Sequence, residues 1–184
     1  MRIPCITACC HIDTRLGPIT LAATDNGLAG AWFEGQRHHP DTTAWLRDDA
    51  HPVLQETARQ LAQFFDGRRQ HFELPLDLRH GTPFQQAVWR VLLDIAPGHT
   101  CSYGAIGQRI GRPTAVRAVG AAVGRNPISV VVPCHRVLGA DGSLTGYAGG
   151  LERKAALLAR ESAHTARANP GPPTPRRESR TIAA

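Results

Sequence analysis

The chain has 184 residues, 42% of them hydrophobic, with 21 Lys+Arg against 15 Asp+Glu for a formal net charge of +6. That length suits one or two small domains with a true core, and the spread of apolar residues argues against wholesale disorder. No apolar run reaches the roughly 18 residues of a membrane span, and Met1 to Ile12 lacks the basic-then-apolar start of a secretory signal, so a cytoplasmic protein with no membrane partner is expected.

From Ile3 to Phe33 the sequence reads as three strands: a run to Ile12, a turn at Arg15-Leu16-Gly17-Pro18, a run Ile19 to Thr24, and Leu28 to Phe33 after the hairpin signal Asn26-Gly27. Residues 34–50 read as loop. Pro52 then opens a helix in which Leu54, Ala58, Leu61 and Phe65 recur every three or four positions until Gly67. A short extended piece, His71 to Leu76, closes a first α+β region near residue 80. Thr82-Pro83 is an N-cap with proline at the first helical position, and Phe84, Ala87, Val88, Val91, Leu92 and Ile95 form an apolar stripe up to Pro97-Gly98. Two short helices, Tyr103 to Ile110 and Pro113 to Val123, flank Gly111-Arg112 as in a helix-turn-helix or an ordinary helical hairpin. Ile128 to Val132 reads as a buried strand, Gly139-Ala140-Asp141-Gly142 as a turn, and Leu151 to Glu161 as a last helix with Leu157 and Leu158 inward. The end of the chain, from about Thr165, holds four prolines and four arginines with hardly any apolar content, so it is expected to be disordered.

Charge divides unevenly along the chain. Residues 1–80 carry 8 Lys+Arg and 10 Asp+Glu, residues 81–163 carry 9 and 4, and residues 164–184 carry 4 and 1. A basic second half suits a polyanion such as nucleic acid, and is equally compatible with a basic surface that has no partner.

Cys134 ends the apolar run Val130-Val131-Val132-Pro133 and is followed by His135 and Arg136. A thiol becomes a nucleophile where positive charge lowers its pKa and an imidazole takes its proton, although a buried cysteine is more often inert packing. Sequence neighbours point apart on a strand and about 100° apart on a helix, so proton transfer from Cys134 to His135 needs a turn or a bridging water. Gly149-Gly150, after Tyr147-Ala148, can bring backbone N–H groups beside Cys134 or form a plain loop. Glu161 either orients His135 or is one more surface carboxylate. Between Pro113 and Gly124 the side chains are nearly all small, with Arg117 the one long polar group. Such a helix presses close to another surface: against DNA the arginine could replace an extruded base, and inside a protein it would sit at a packed rim. Five cysteines without repeated spacing argue against a disulfide framework. Cys5, Cys9, Cys10 and His11 invite a metal reading, but the strand Ile19 to Thr24 offers no Cys or His to complete four ligands.

Pro133-Cys134-His135-Arg136-Val137 resembles the active-site motif of the methylated-DNA–protein-cysteine methyltransferases, the O6-alkylguanine-DNA alkyltransferases. The resemblance also takes in Phe84-Gln85-Gln86-Ala87-Val88-Trp89, Ser102-Tyr103-Gly104, Arg117-Ala118-Val119-Gly120, Arg125-Asn126-Pro127, Gly146-Tyr147 and Gly149-Gly150-Leu151, in family order. It covers nearly all of the stretch from 81 to 161, and the chain before it more loosely. It implies an α+β protein: a ribonuclease-H-like sheet domain over 1–80, a helical domain with a winged helix-turn-helix over 81–163, and a basic Pro-rich tail, 164–184, outside it. The implied reaction is irreversible transfer of an alkyl group from guanine O6 to Cys134, once per molecule, by a monomer holding the minor groove of double-stranded DNA with the alkylated guanine flipped out.

The resemblance further implies that His135 deprotonates Cys134 through water, that Glu161 orients His135 and that Tyr103 protonates guanine N3. Arg117 fills the gap in the stack, with Ala118 and Arg125 on the same DNA-binding segment, and Asn126 is the hinge before the active-site strand. Tyr147 lines the pocket while backbone at Val137 and Ala148 reads the guanine edge. Some members hold zinc in the sheet domain; Thr24 stands where a cysteine ligand is expected, so neither a metal nor an organic cofactor is expected here. Lesion-binding relatives of the fold lack the acceptor cysteine, and a regulator would be expected to carry an extra metal-thiolate domain.

Overall fold

A computed structural model describes residues 6–168, with side chains through Ala163. Strands β1 (Ala8–Ile12), β2 (Ile19–Thr24) and β3 (Gly27–Phe33) form an antiparallel sheet in that order. The hairpin between β2 and β3 needs its glycine twice over. Gly27 has φ 130°, and a Cβ there would lie 2.3 Å from the Pro75 carbonyl oxygen. Helix α1 (Pro52–Phe65) lays Leu54, Leu61, Phe64 and Phe65 against one face of the sheet, where Cys10, Leu21 and Phe33 lie. On the other face Cys9, Ala22, Ala29 and Trp32 are covered by Ile6 and by Trp45 from the 34–50 loop. Covering both faces explains why the strands read as continuous apolar runs rather than alternating ones.

Helix α2 (Pro83–Leu93) starts in a capping box, the Thr82 hydroxyl accepting from the Gln85 N–H while the Gln85 side chain accepts from the Thr82 N–H. Its Trp89 is fully buried and donates from Nε1 to the Ala122 carbonyl at 2.9 Å, which docks α2 on α4 (Val116–Gly124). Helix α3 (Tyr103–Arg109), capped by Ser102, turns into α4 through Gly111 at φ 68°. This is the expected helix-turn-helix. Beside it, β4 (Cys101–Ser102) pairs in parallel with β5 (Val137–Leu138), and α5 (Leu151–Ala168) closes the described chain.

Four expectations differ from the structure. Ile128 to Val132 is not a strand: Ile128 alone bridges to Ala31, after which the chain curls through Val130 at φ 73°. Hydrogen bonds from Val131 N to Ser129 O and from Val132 N to Ile128 O close the segment on itself. Its apolar run reflects burial, which a packed turn satisfies as well as a strand does. Helix α4 begins at Val116 rather than Pro113, because 113–115 form a turn in which the Ala115 N–H reaches Arg112 O. Helix α5 runs beyond Glu161 to Ala168, and its buried face carries Lys154, Leu157 and Glu161, leaving Leu158 only partly buried. Strand β1 begins at Ala8, since Ile6 and Thr7 are not strand, and Ile3, where the run was expected to open, lies outside the described residues. The tail from 169 and Cys5 lie outside the described residues. Among those described, no helix is long and apolar enough to cross a membrane.

The described residues of the sheet domain do not fit zinc. Cys9 and Cys10 are packed in separate apolar clusters, His11 Nδ1 meets the Thr20 hydroxyl at 3.0 Å, and the Thr24 hydroxyl donates to Asp77 at 2.7 Å. Among the described residues no three His, Cys, Asp or Glu side chains converge on a metal position.

The β3 edge carries the site. The Ala31 N–H donates to Pro127 O at 2.9 Å and its carbonyl accepts from the Ser129 N–H at 2.8 Å. The segment leading to Cys134 is thereby stitched to the sheet domain.

Candidate active site

Asn126, buried just after α4, shapes the segment that follows it. Its Oδ1 accepts from the Ile128 N–H at 3.0 Å, and its Nδ2 donates to Val132 O at 2.8 Å and to Cys134 Sγ at 3.0 Å. One side chain thus satisfies the interior of the loop and reaches the thiol. Cys134, His135 and Arg136 form a single 3-10 turn, in which successive side chains still point about a third of a circle apart, so a proton passing from Cys134 to His135 needs a bridging water.

The charge around the thiol differs from the sequence expectation. Arg136 turns away from Cys134: its guanidinium binds both Glu161 oxygens, with Nε at 3.2 and 3.0 Å and Nη2 at 2.8 Å, and also the Ile95 carbonyl. Burial pushes the Cys134 thiol up to about 11, against the opposing pull of the Asn126 hydrogen bond and the Lys154 charge. The resting group is a neutral thiol, and deprotonation needs a base.

His135 is the imidazole next in the turn. It is 0% exposed, and its Nε2 lies 2.9 Å from Glu161 Oε1. Burial lowers the imidazole pKa, the Glu161 carboxylate opposing it, so the ring is neutral near pH 7. Burial alone would raise Glu161, but the hydrogen bonds from His135 and Arg136 prevail and hold it at about 2. A carboxylate only accepts, so Nε2 carries the ring hydrogen and Nδ1 keeps its lone pair. That Nδ1 is buried with no hydrogen-bond partner among the described residues.

A cleft of about 500 Å³ opens at Tyr147, which stands within electrostatic reach of Cys134, and its walls also include Tyr103, Gly120, Ala121, Gly124, Arg125 and Ala148. The Tyr103 hydroxyl donates toward the Thr145 and Gly146 carbonyls, each at 3.4 Å. Tyr147 sits deeper, where burial, with Cys134 close by, pushes its phenol well above 10, so it keeps its proton. A Cβ at Gly149 would lie 2.8 Å from the Tyr147 ring, so only glycine lets this loop close over it. Arg117 and Ala118 are exposed on α4 but stand outside the cleft walls, whereas Arg125 lines them. The structure therefore buries two hydrogen-bonded sets on one turn, Asn126 with Cys134 and Glu161 with His135 and Arg136, places Tyr103, Tyr147, Ala148 and Arg125 around a cleft, and sets Arg117 and Ala118 on the outer face of α4.

Sequence reasoning missed Lys154. It is fully buried, and its ammonium donates to the Val137 and Thr145 carbonyls, joining β5 to the loop that leads into the cleft wall at Gly146. Two signals pointed to it: it is the chain's one lysine, and it shares a helix face with Leu157 and Glu161. Also missed were Arg37 and His38, which reach the cleft from the sheet domain. The Arg37 N–H donates to Ala148 O at 2.9 Å, so that carbonyl is already engaged.

Comparison with known proteins agrees with this arrangement. The family model for the 6-O-methylguanine DNA methyltransferase DNA binding domain matches residues 83–163, and that for its ribonuclease-like domain matches 9–78. The methylated-DNA–protein-cysteine methyltransferase of Mycolicibacterium paratuberculosis is 46% identical over 154 residues, covering 84% of this chain and 92% of that protein. That of Methanosarcina barkeri is 43% identical, covering 80% and 92%. Among solved structures, Mycobacterium tuberculosis OGT in complex with DNA superposes with a TM-score of 0.79 at 45% identity, covering 86% of this chain and 94% of that one. With both regions of the chain matched and relatives of that name 46% identical over most of its length, the chain belongs to the methylated-DNA–protein-cysteine methyltransferase family.

Proposed function

We infer that this protein repairs DNA directly, moving the alkyl group of O6-alkylguanine to the sulfur of Cys134 in a single turnover. One observation carries the reading. A buried thiol within hydrogen-bond reach of Asn126 stands next in sequence to a neutral imidazole whose far nitrogen is fixed by a carboxylate. The His135 Nδ1 lone pair takes the thiol proton through a water, and Glu161 stabilises the resulting imidazolium. The sulfur attacks the saturated alkyl carbon, forming S–C as the C–O6 bond breaks. Tyr103 supplies a proton to N3 of the leaving guanine. The product is a thioether with no good leaving group, so each molecule acts once, without metal or organic cofactor.

Double-stranded DNA enters against the exposed face of α4 through its minor groove. Arg117 fills the stack vacated by the flipped nucleotide, and Ala118 and Arg125 flank it on the same face. Val137 and Ala148 read the guanine edge, the Val137 carbonyl through its remaining lone pair and Ala148 through its N–H. Tyr147 lines the pocket. The reading divides the chain into a sheet domain (1–80), a DNA-binding and active-site domain (81–163) and a tail (164–184), and has it work as a monomer in the cytoplasm, where thiols stay reduced. Incubation with duplex containing O6-methylguanine should add one methylene mass to the Cys134 peptide and to no other cysteine peptide. Product accumulating beyond one equivalent of protein would refute the single-turnover claim.

A further inference from the structure

The cleft beside Cys134 is built from both domains. Arg37 and His38, on the loop after β3, line it together with Arg125 from the end of α4. Both arginines are exposed, and among the described residues neither forms an ion pair. The nearby Asp41 is not set against Arg37; it accepts from the Thr43 N–H and hydroxyl. His38 is lowered by burial first and then by the Arg125 and Arg37 charges, which places both guanidiniums within electrostatic reach of one imidazole.

The base of this arm is fixed. Buried Gln36 accepts from the Phe33 N–H at 2.9 Å and from the Ser129 hydroxyl at 3.2 Å, while the Arg37 N–H holds Ala148 O. His38 is kept at φ 65°, a left-handed conformation that a non-glycine residue holds only when its surroundings impose it. A flipped nucleotide must pass its sugar through this cleft to bring O6 to Cys134, so its flanking phosphates come to rest at the rim. Guanidinium groups there, unpaired and presented from a rigid base, match phosphate geometry.

We propose that Arg37 is a DNA-phosphate contact that grips the strand beside the flipped nucleotide, across the cleft from Arg125, giving the sheet domain a direct part in DNA binding. The proposal rests on the repair reading above and adds to it a contact outside the helix-turn-helix. The excess of acidic over basic side chains in the sheet domain hides it, because placement rather than the sum decides whether a charge meets DNA.

The test uses the full chain as wild type, Arg37→Ala, Arg37→Lys and, as a control, Arg68→Ala, whose side chain is exposed beyond α1 and paired with Asp66. Single-turnover transfer from an O6-methylguanine duplex is followed across DNA and salt concentrations. Arg37→Ala should raise the half-saturating DNA concentration several-fold and shallow the log–log salt slope by about 0.9, with the rate at saturation held within about twofold. Arg37→Lys should restore the slope, and Arg68→Ala should match wild type. An unchanged slope and half-saturation in Arg37→Ala would overturn the proposal. So would a loss confined to the saturating rate or the melting temperature, since the loop would then only shape the pocket through Ala148. Wild-type protein that takes no methyl group would instead bring down the repair reading itself.

Discussion

Asn126 joins the fold of the loop to the reactivity of the thiol, so its substitution should move two observables by separable amounts. In Asn126→Ala the Ile128 N–H loses its acceptor and becomes a buried orphan, at about 1–3 kcal/mol. The Val132 carbonyl loses the Nδ2 donor but keeps the Cys134 N–H at 2.8 Å, a smaller loss of about 1 kcal/mol. Unfolding in urea should therefore show a destabilisation of about 2–4 kcal/mol, a large part of the stability of a small protein. The contact with Sγ contributes little to a neutral thiol and more to the thiolate, since hydrogen bonds to charged groups are worth about 1.5–3 kcal/mol. Its loss should slow transfer at saturating DNA by roughly 10- to 150-fold, at about 1.4 kcal/mol per tenfold. Asn126→Asp separates the two effects: it keeps an acceptor for Ile128 but sets an acceptor where the donor to sulfur stood. It should recover part of the stability and none of the rate. A destabilised Asn126→Ala that transfers at the wild-type saturating rate would refute the link between this amide and the thiolate. A fully stable one would refute the account of the loop.

Arg117→Ala should slow repair in duplex DNA, where unstacking a base costs a few kcal/mol, while the reaction of Cys134 with free O6-benzylguanine changes little; equal losses would tie Arg117 to the fold or the thiol instead. Stability should fall with acid in two stages read by denaturation at fixed pH. His135 has its pKa lowered on folding, so the unfolded chain binds its proton more readily and stability declines as pH drops below about 6.5. Glu161 is held at about 2 against an ordinary 4.5, so its contribution is complete above 4.5 and is lost as pH falls toward 2. In Glu161→Gln the second stage should shrink, and an unchanged acid profile would refute its assignment to this carboxylate. Chelation should leave the melting temperature unchanged, because Thr24 and Asp77 are bonded to each other where a metal site would need ligands; stoichiometric zinc in protein purified without added metal would overturn this.

The elements written in local chemistry were legible in the sequence. Thr82, Pro83 and Gln85 set the start of α2, Asn26-Gly27 the β2–β3 hairpin, and the apolar spacing of α1 its buried face, because each signal acts within a few positions. The thiol, imidazole and carboxylate could be named as candidates, yet the turn that carries Cys134 and His135 and the reach of Glu161 from the last helix back to that turn belong to packing. Ile128 to Val132 misled because burial enriches β-branched residues whether the backbone is extended or curled. Here the hydrogen bonds of Asn126 decide for the curl. The charge expected to activate the thiol also misled, since adjacency put Arg136 near Cys134 while Glu161 and the Ile95 carbonyl draw its guanidinium elsewhere. Lys154 was unreadable for a related reason: a charge on an apolar helix face is tolerated only when carbonyls from distant loops meet it, and those carbonyls carry no mark in the sequence.

Ala31 gives these two regions a shared inheritance. In the order β1-β2-β3 the third strand is an edge whose open side is paired at Leu28 by Pro75 and Asp77 and at Ala31 by Pro127 and Ser129. Excising the sheet domain would leave the acceptor loop without its neighbour and bare the amide and carbonyl of Ala31 on a strand edge, a place for self-association to start. Neither fragment is a free-standing module for fusion or shuffling. Co-expressed halves should regain alkyl transfer only by finding each other along this seam, and swapping in a foreign sheet domain should succeed only where its third strand offers the same two hydrogen bonds.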